Sequence, residues 1–245
     1  PARKLRPEVR TLFKIVGFSL VGALGVFIAW AFVVSIPSVD SFENRKVAES
    51  TKIYDRTGEV LLYDVHGSMR RTDVPLGEIS TYIQNATIAI EDDTFYQHKG
   101  VRPLSFLRAV LANITTGSFS QGGSTITQQV VKNTLLTQDK TIIRKMKEWV
   151  LAIKLERATT KEKILEIYLN ENPYGGTIYG IQEAAHYFFA KDAKDVTLAE
   201  AAYLAALPRA PTRYSPYGNH RDELEARKSL ILTRMNELGF ISDEE

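Results

Sequence analysis

Apolar positions are distributed unevenly along the chain. Between residues 12 and 36 they are almost continuous, Lys14 is the only charge, and the run from Ile15 to Ile36 carries Phe18, Phe27, Trp30 and Phe32. A bilayer core is crossed by about 20 apolar helical residues, so this run predicts a transmembrane anchor. It is long for the apolar part of a signal peptide, and Ser35-Ile36-Pro37 is a poor cleavage site. Arg3, Lys4, Arg6, Arg10 and Lys14 precede the run while Asp40 and Glu43 follow it, which puts the tail in the cytoplasm and everything after Ser38 outside. The pattern then turns strand-like: Lys52-Ile53-Tyr54, a turn at residues 55–58 and Val60-Leu61-Leu62-Tyr63 predict a hairpin, with Met69 to Val74 as a third strand. From Leu76 onward the period is helical. Thr159-x-x-Glu162 and Thr197-x-x-Glu200 have capping-box spacing and predict two helix starts, stopped by Pro173 and Pro208. Gly239 fits the end of a last helix holding Leu224, Ile231, Met235 and Leu238. A helix over residues 141–157 is expected to bury Ile142, Met146, Trp149, Val150 and Ile153. The expected organisation is a basic tail (1–11), an anchor helix (12–36), a linker with the hairpin (37–75) and a mainly α domain (76–245).

Composition narrows the field. With 245 residues, 44% hydrophobic and 24% charged, the chain can bury a core of its own. A formal net charge of +2 gives no reason to expect a nucleic-acid partner. The absence of cysteine removes disulfides, thiolate metal sites and a cysteine nucleophile. Because the first residue is Pro1, the sequence is expected to be a piece or a processed product.

Three segments carry candidate chemistry. Glu91-Asp92-Asp93 follows the apolar run Ala86-Thr87-Ile88-Ala89-Ile90 directly, which leaves open a solvated helix end, metal ligation, or a carboxylate kept for acid or base work. In the second, Gly122-Gly123 opens into Ser124, Thr125, Thr127, Gln128 and Gln129, neutral hydrogen-bonding side chains that suit a sugar or that simply cap an exposed helix. In the third, Lys132, Lys140, Arg144, Lys145 and Lys147 surround one acid, Glu148. Such a cluster binds an anion, either a pyrophosphate or lipid headgroups, and spacing does not separate the two.

Together these segments resemble one family. Glu91-Asp92-x-x-Phe95-x-x-His98-x-Gly100, then Gly123-Ser124-Thr125-Ile126-Thr127-Gln128-Gln129 with Lys132-Asn133, then Arg144-Lys145-x-x-Glu148, look like the ordered motifs of the peptidoglycan glycosyltransferases (family 51) of class A penicillin-binding proteins. The likeness continues through Tyr168-Leu169-Asn170 and the Ala-rich run from Leu198 to Pro208. It implies a mainly α, lysozyme-like glycosyltransferase domain with a small β-hairpin lead-in behind one transmembrane helix, at the outer face of a bacterial cytoplasmic membrane. The implied reaction polymerises lipid II: the growing glycan on undecaprenyl pyrophosphate is the donor, and an incoming sugar hydroxyl attacks it with inversion.

Residue by residue, the resemblance makes Glu91 the general base and Glu148 the second essential glutamate, near the leaving pyrophosphate. Lys132, Lys140, Arg144 and Lys145 take the basic positions, and Ser124, Thr125, Gln128, Gln129 and Asn133 line the substrate cleft. Asp92, Phe95 and His98 support the turn. A carboxylate drawn partly out of water is a better base than a solvated one, and a leaving pyrophosphate needs cations more than a proton. The inverting geometry sets two carboxylates roughly 6.5–9.5 Å apart, so Glu91 and Glu148 are expected to face each other across a cleft without touching. No organic cofactor is implied; a divalent cation (Mg or Mn) at the pyrophosphate is compatible with the chemistry. Lipid II, the glycan strand, membrane lipids and cell-wall synthesis or division proteins are the implied partners. The residues from Phe240 to Glu245 resemble the junction to a transpeptidase domain, so a bifunctional protein is expected. Rival readings are a glycan-cleaving hydrolase, which needs no cations around Glu148, and a non-catalytic glycan-binding scaffold.

Overall fold

The structure is a computed structural model that describes residues 7–34, 51–57, 61–65, 71–105, 108, 123–136, 139 and 141–245. Helix α1 spans Pro7–Val33. The predicted span, residues 12–36, lies partly outside the described residues, and among those described no helix is long and apolar enough to cross a membrane. Just past α1, the Val34 carbonyl accepts a hydrogen bond from Lys154 Nζ. Strands β1 (Thr51–Tyr54) and β2 (Leu61–Val65) pair antiparallel, as the hairpin pattern predicts. The expected third strand is not formed: residues 71–75 are irregular, and 69–70 lie outside the described residues.

That irregular segment is tied to the helical body through side chains instead of a strand ladder. Asn170 receives Val74 N–H at 3.2 Å and donates Nδ2 to Val74 O at 2.8 Å. Glu166 accepts from Leu76 N at 2.9 Å, and buried Arg71 is shared between Asp73 and Glu171.

The body is built from α2 (Thr81–Glu91), α3 (Ile126–Leu135), α4 (Ile142–Ala158), α5 (Lys161–Glu171), α6 (Ile181–Phe189), α7 (Leu198–Ala206) and α8 (Arg221–Glu237). A second two-stranded antiparallel sheet, β3 (Pro173–Gly175) and β4 (Ile178–Tyr179), turns the chain between α5 and α6. Helix α3 packs on α4 and α5, while α7 packs on α2 and α8. The shared core includes Ile83, Phe95, Ile126, Leu155, Leu165, Leu169, Leu204 and Ile231.

Helix ends follow local chemistry. Thr197 and Glu200 form the predicted capping box of α7. For α5 the cap is Thr160, one residue later than predicted, because Thr159 N–H still bonds back to Leu155 O and so closes α4. Helix α8 ends in a Schellman turn: Gly239 at φ 71 sends its N–H to Asn236 O, and Phe240 N–H reaches Met235 O at 2.8 Å.

The predicted buried stripe of α4 forms only in part: Val150 is buried as expected, and the other four positions are not fully buried. Ile142 is 81% exposed and Met146 37%, Trp149 and Ile153 are only half-buried, and the inward face carries Glu148, Leu151, Ala152 and Leu155. A fully buried glutamate takes an inward position, so the helix is rotated relative to one laid down by its apolar residues alone.

Candidate active site

Glu91 closes α2, whose start is capped by Ser80. Its side chain is 16% exposed and has two partners: Gln129 Nε2 donates to Oε2 at 2.7 Å, and Arg227 Nη2 reaches Oε1 at 3.3 Å. Arg227 comes from α8, is 9% exposed, and also donates Nε to Ala206 O at 3.2 Å. The guanidinium lies 5.9 Å from the ring centre of Tyr214. Burial lowers the Arg227 pKa, an effect Glu91 opposes. The sequence reading gives Glu91 an apolar edge and misses this cation; nothing in the local pattern around Arg227 signals it.

Asp92 is buried and acts as a clamp. Oδ2 accepts from Ile126 N–H at 3.1 Å, the first residue of α3, and meets His98 Nε2 at 2.7 Å, while Arg102 reaches Oδ1 at 3.3 Å. Because Gly100 N–H donates into His98 Nδ1 at 3.1 Å, the remaining proton of a neutral ring sits on Nε2 and points at Asp92. Phe95 is fully buried beneath this turn, edge-on to Tyr96 and His98, with Lys161 4.3 Å above its ring. Asp93 stays at the surface, paired with Arg102 at 2.7 Å. Gly100 cannot be replaced freely: φ is +92, and an added Cβ would lie 2.7 Å from Ala152 O.

Helix α3 is where the structure divides what the sequence groups together. Thr125 and Gln128, expected to line a cleft, are buried and form a reciprocal capping box, and Thr125 Oγ1 donates to Gly100 O at 2.6 Å. Thr127 is likewise buried and donates to Glu156 at 2.5 Å. Ser124, Gln129, Lys132 and Asn133 retain accessible surface. Asn133 Nδ2 donates to Asn172 Oδ1 at 3.0 Å. Beside it, Tyr168 Oη and Asn172 Nδ2 are buried without a well-formed partner among the described residues. Tyr168 is held well above the ordinary tyrosine range by burial first and by the charge of Glu91 second.

Glu148 has the opposite surroundings from Glu91. Only 1% exposed, it accepts from Arg144 Nη1 at 3.0 Å and Gln128 Nε2 at 3.3 Å, and it contacts Lys145 Nζ, which also donates to Ser124 Oγ at 2.8 Å. A carboxylate this buried requires such donors. Arg144 Nε remains buried with no partner among the described residues. Lys132 feels Glu148, Glu91, Arg144 and Lys145, and its ammonium is held below the ordinary lysine range, chiefly by desolvation. Lys140 lies outside the described residues. No group of three His, Cys, Asp or Glu side chains among the described residues is arranged to hold a metal, and the Glu148 oxygens are taken up by their own donors.

The two glutamates therefore have separate sets of partners, joined through adjacent glutamines on one helix: Gln129 serves Glu91 and Gln128 serves Glu148. Two carboxylates so differently surrounded, one open to solvent and one packed among cations, form an arrangement that can accept a proton at one end and hold an anion at the other. The model of the family described as "Transglycosylase" matches residues 58–236, and the chain belongs to that family. It is 46% identical over 198 residues to penicillin-binding protein 1F of Bacillus subtilis (strain 168), covering 80% of this chain and 27% of that protein. To penicillin-binding protein 1A of Aquifex aeolicus (strain VF5) it is 40% identical over 235 residues, covering 92% and 32%. The chain thus spans about a third or less of these curated relatives. A crystal structure of penicillin-binding protein 1A from Haemophilus influenzae aligns over 81% of this chain and 20% of that chain, at 24% identity and a TM-score of 0.45.

Proposed function

We propose that this chain is a peptidoglycan glycosyltransferase domain that polymerises lipid II, with the growing glycan on undecaprenyl pyrophosphate as donor. Glu91 takes the proton of the acceptor sugar hydroxyl as that oxygen attacks C1 of the donor sugar. The bond from C1 to the pyrophosphate oxygen breaks, the configuration inverts, and the pyrophosphate leaves as an anion stabilised by Lys132, Arg144 and Lys145, with Lys140 in the same role. Glu148 orients Arg144 and Lys145 and limits their excess charge. Ser124, Gln129 and Asn133 contact the sugars. Asp92, Phe95 and His98 hold Glu91 and the start of α3 in place.

The observation that carries this reading is the asymmetry of the two glutamates. Among the described residues, Glu91 keeps access to solvent and a single cationic partner, while Glu148 is buried among a surplus of cations, one of which has a guanidinium N–H without a partner. A hydrolase acting on finished, neutral glycan has no use for that second arrangement.

The same reading makes residues 12–36 a single-pass anchor, N-terminus inside, at the outer face of a bacterial cytoplasmic membrane, with residues 76–245 as a lysozyme-like catalytic domain and residues 37–75 linking the two. It rests on the uncharged run from Ile15 to Ile36. Exposed Ile142 and Ile143 on α4, and the recess lined by Trp30, Val33, Leu135 and Leu136 with Lys147 at its edge, suit a side that meets lipid and its headgroups. Because the relatives named penicillin-binding proteins extend well beyond the matched region, the chain is taken to be the transglycosylase part of a bifunctional penicillin-binding protein.

The test is incubation of detergent-solubilised protein with lipid II, followed by electrophoresis of the glycan. Polymer is expected from the wild type and not from Glu91→Gln. Cleaved glycan would establish a hydrolase, and polymerisation by Glu91→Gln at the wild-type rate would refute the assignment of the base.

A further inference from the structure

Helix α4 carries a second enclosed carboxylate, Glu156, that the chemistry at Glu91 and Glu148 does not use. Its side chain is 7% exposed and is paired at 2.6 Å with Lys161, the first residue of α5, itself 16% exposed. The same oxygen, Oε1, accepts from Thr127 Oγ1 of α3 at 2.5 Å. Lys161 lies over the ring of Phe95, and the stem of Glu156 runs beside Gly100, where an added Cβ would come within 3.1 Å of its Cγ. One carboxylate thus joins α3, α4, α5 and the turn that carries the Asp92 clamp.

An enclosed ion pair stabilises a fold little better than apolar groups of the same size, because both charges lose their water. What it adds is direction. A helix sets successive side chains about 100° apart, and on α3 three in a row have separate partners: Thr127 meets Glu156, Gln128 meets Glu148 and Gln129 meets Glu91. Ahead of them, Ile126 N–H binds Asp92 and Thr125 Oγ1 binds Gly100 O. Those two bonds lie at the end of the helix and fix where it begins. Thr127 reaches out from its flank and fixes the rotation about its axis, on which both glutamine contacts depend.

We propose that Glu156, held by Lys161, is a positioning residue for the transfer: through Thr127 it sets the rotation of α3 that puts Gln129 on Glu91 and Gln128 on Glu148. The role rests on the glycosyltransferase reading, and its test has one arm without turnover. In that arm the side-chain amide of Gln129 is followed by NMR in the detergent-solubilised protein, assigned by its loss in Gln129→Leu. The signal moves in Thr127→Val and stays in Thr127→Ser, which keeps the hydroxyl. In the turnover arm, Thr127→Val polymerises lipid II with kcat at least fivefold lower and KM within about twofold, while Thr127→Ser stays within about twofold of the wild type in both. Losing the Gln129 bond makes Glu91 harder to ionise, so the acid limb of the Thr127→Val rate profile moves to higher pH. Arg227, Lys132, Tyr168 and Tyr174, which also interact with Glu91, are unchanged in that variant. Glu156→Leu/Lys161→Met removes both charges together, leaving neither buried alone, and shows the same loss and the same shift while melting close to the wild type. Should it not fold, the two Thr127 variants, which leave the ion pair intact, decide.

Equal kcat, acid limb and Gln129 signal in Thr127→Val and Thr127→Ser would overturn the positioning role. So would wild-type kcat in the folded Glu156→Leu/Lys161→Met variant, or a lower melting temperature for Thr127→Val with kcat and acid limb unchanged, which would make the contact structural only. Failure of the wild type to polymerise lipid II while the Gln129 signal still separates the two Thr127 variants would refute the glycosyltransferase reading and leave the control of α3 by Glu156 standing.

Discussion

Gly100→Ala should harm both the stability and the site, and the contributions can be separated. The residue sits at φ +92, and the new Cβ would meet Ala152 O at 2.7 Å and Ala152 C at 2.8 Å, both backbone atoms of α4 that cannot swing aside. Backbone strain of this kind costs about 1–3 kcal/mol, and forcing atoms into a packed site costs about 1–3 kcal/mol more. The expected loss, about 2–6 kcal/mol, is a large share of the roughly 5–15 kcal/mol that holds a domain folded. Two controls divide it. Gly239→Ala keeps a positive φ of +71 with nothing within 4 Å, so only the conformational cost of roughly 1–2 kcal/mol remains. Gly77→Ala has neither a positive φ nor a neighbour within 4 Å, and is expected to be neutral or stabilising. Urea unfolding followed by circular dichroism ranks the three. Activity should fall further than stability alone explains, because Gly100 bonds both His98 and Thr125, so moving it displaces the Asp92 clamp and the start of α3. If Gly100→Ala proves no less stable than Gly239→Ala, the close approach to α4 does not constrain the fold.

Other expectations follow from the cations of the site. Arg227→Ala removes one of the two partners of Glu91; it is expected to cost about 1.5–3 kcal/mol, as for a hydrogen bond to a charged group, and to lower turnover of lipid II at least tenfold. Arg227→Lys should fall between, and wild-type kcat and melting temperature in Arg227→Ala would refute a positioning role. Lys132 supplies a pH test. Its folded pKa lies below the unfolded value, so folding disfavours its proton: the group subtracts from stability below the folded pKa and ceases to do so as pH rises through the window up to the ordinary lysine value. Lys132→Met should therefore raise the melting temperature at pH 7, with the gain shrinking toward pH 10, while polymerisation is lost. A lower melting temperature for the variant at pH 7, or a gain that grows with pH, would reverse the sign of this reasoning.

What the sequence discloses is mostly local. Thr197 with Glu200, Gly239 and the hairpin around residues 55–58 are readable because each element closes over a few residues. Phase and long-range pairing are not readable in that way. The apolar residues of α4 suggest a buried stripe through Ile142 and Met146, but Glu148 occupies the interior once Arg144, Lys145 and Gln128 supply its donors, and the stripe turns outward. In the segment from Ser124 to Gln129 composition announces hydrogen bonding without telling which groups the fold itself consumes; Thr125, Thr127 and Gln128 are consumed, while Ser124 and Gln129 retain accessible surface. The family motifs bring Glu91, Glu148 and the cations into view because resemblance carries positions that periodicity cannot. Arg227 lies in a helix dense with ordinary surface charge, and only the folded path distinguishes it from its neighbours.

The pair between Glu91 and Arg227 joins positions 136 residues apart. A ribosome delivers these two groups at very different times. When the chain has emerged only as far as α7, both glutamates and the three described cations around Glu148 are already present, yet Arg227 has not left the exit tunnel. Formation of this pair is thereby linked to the arrival of α8, and a product stopped before it retains the recognisable motifs while lacking the cation that pairs with Glu91.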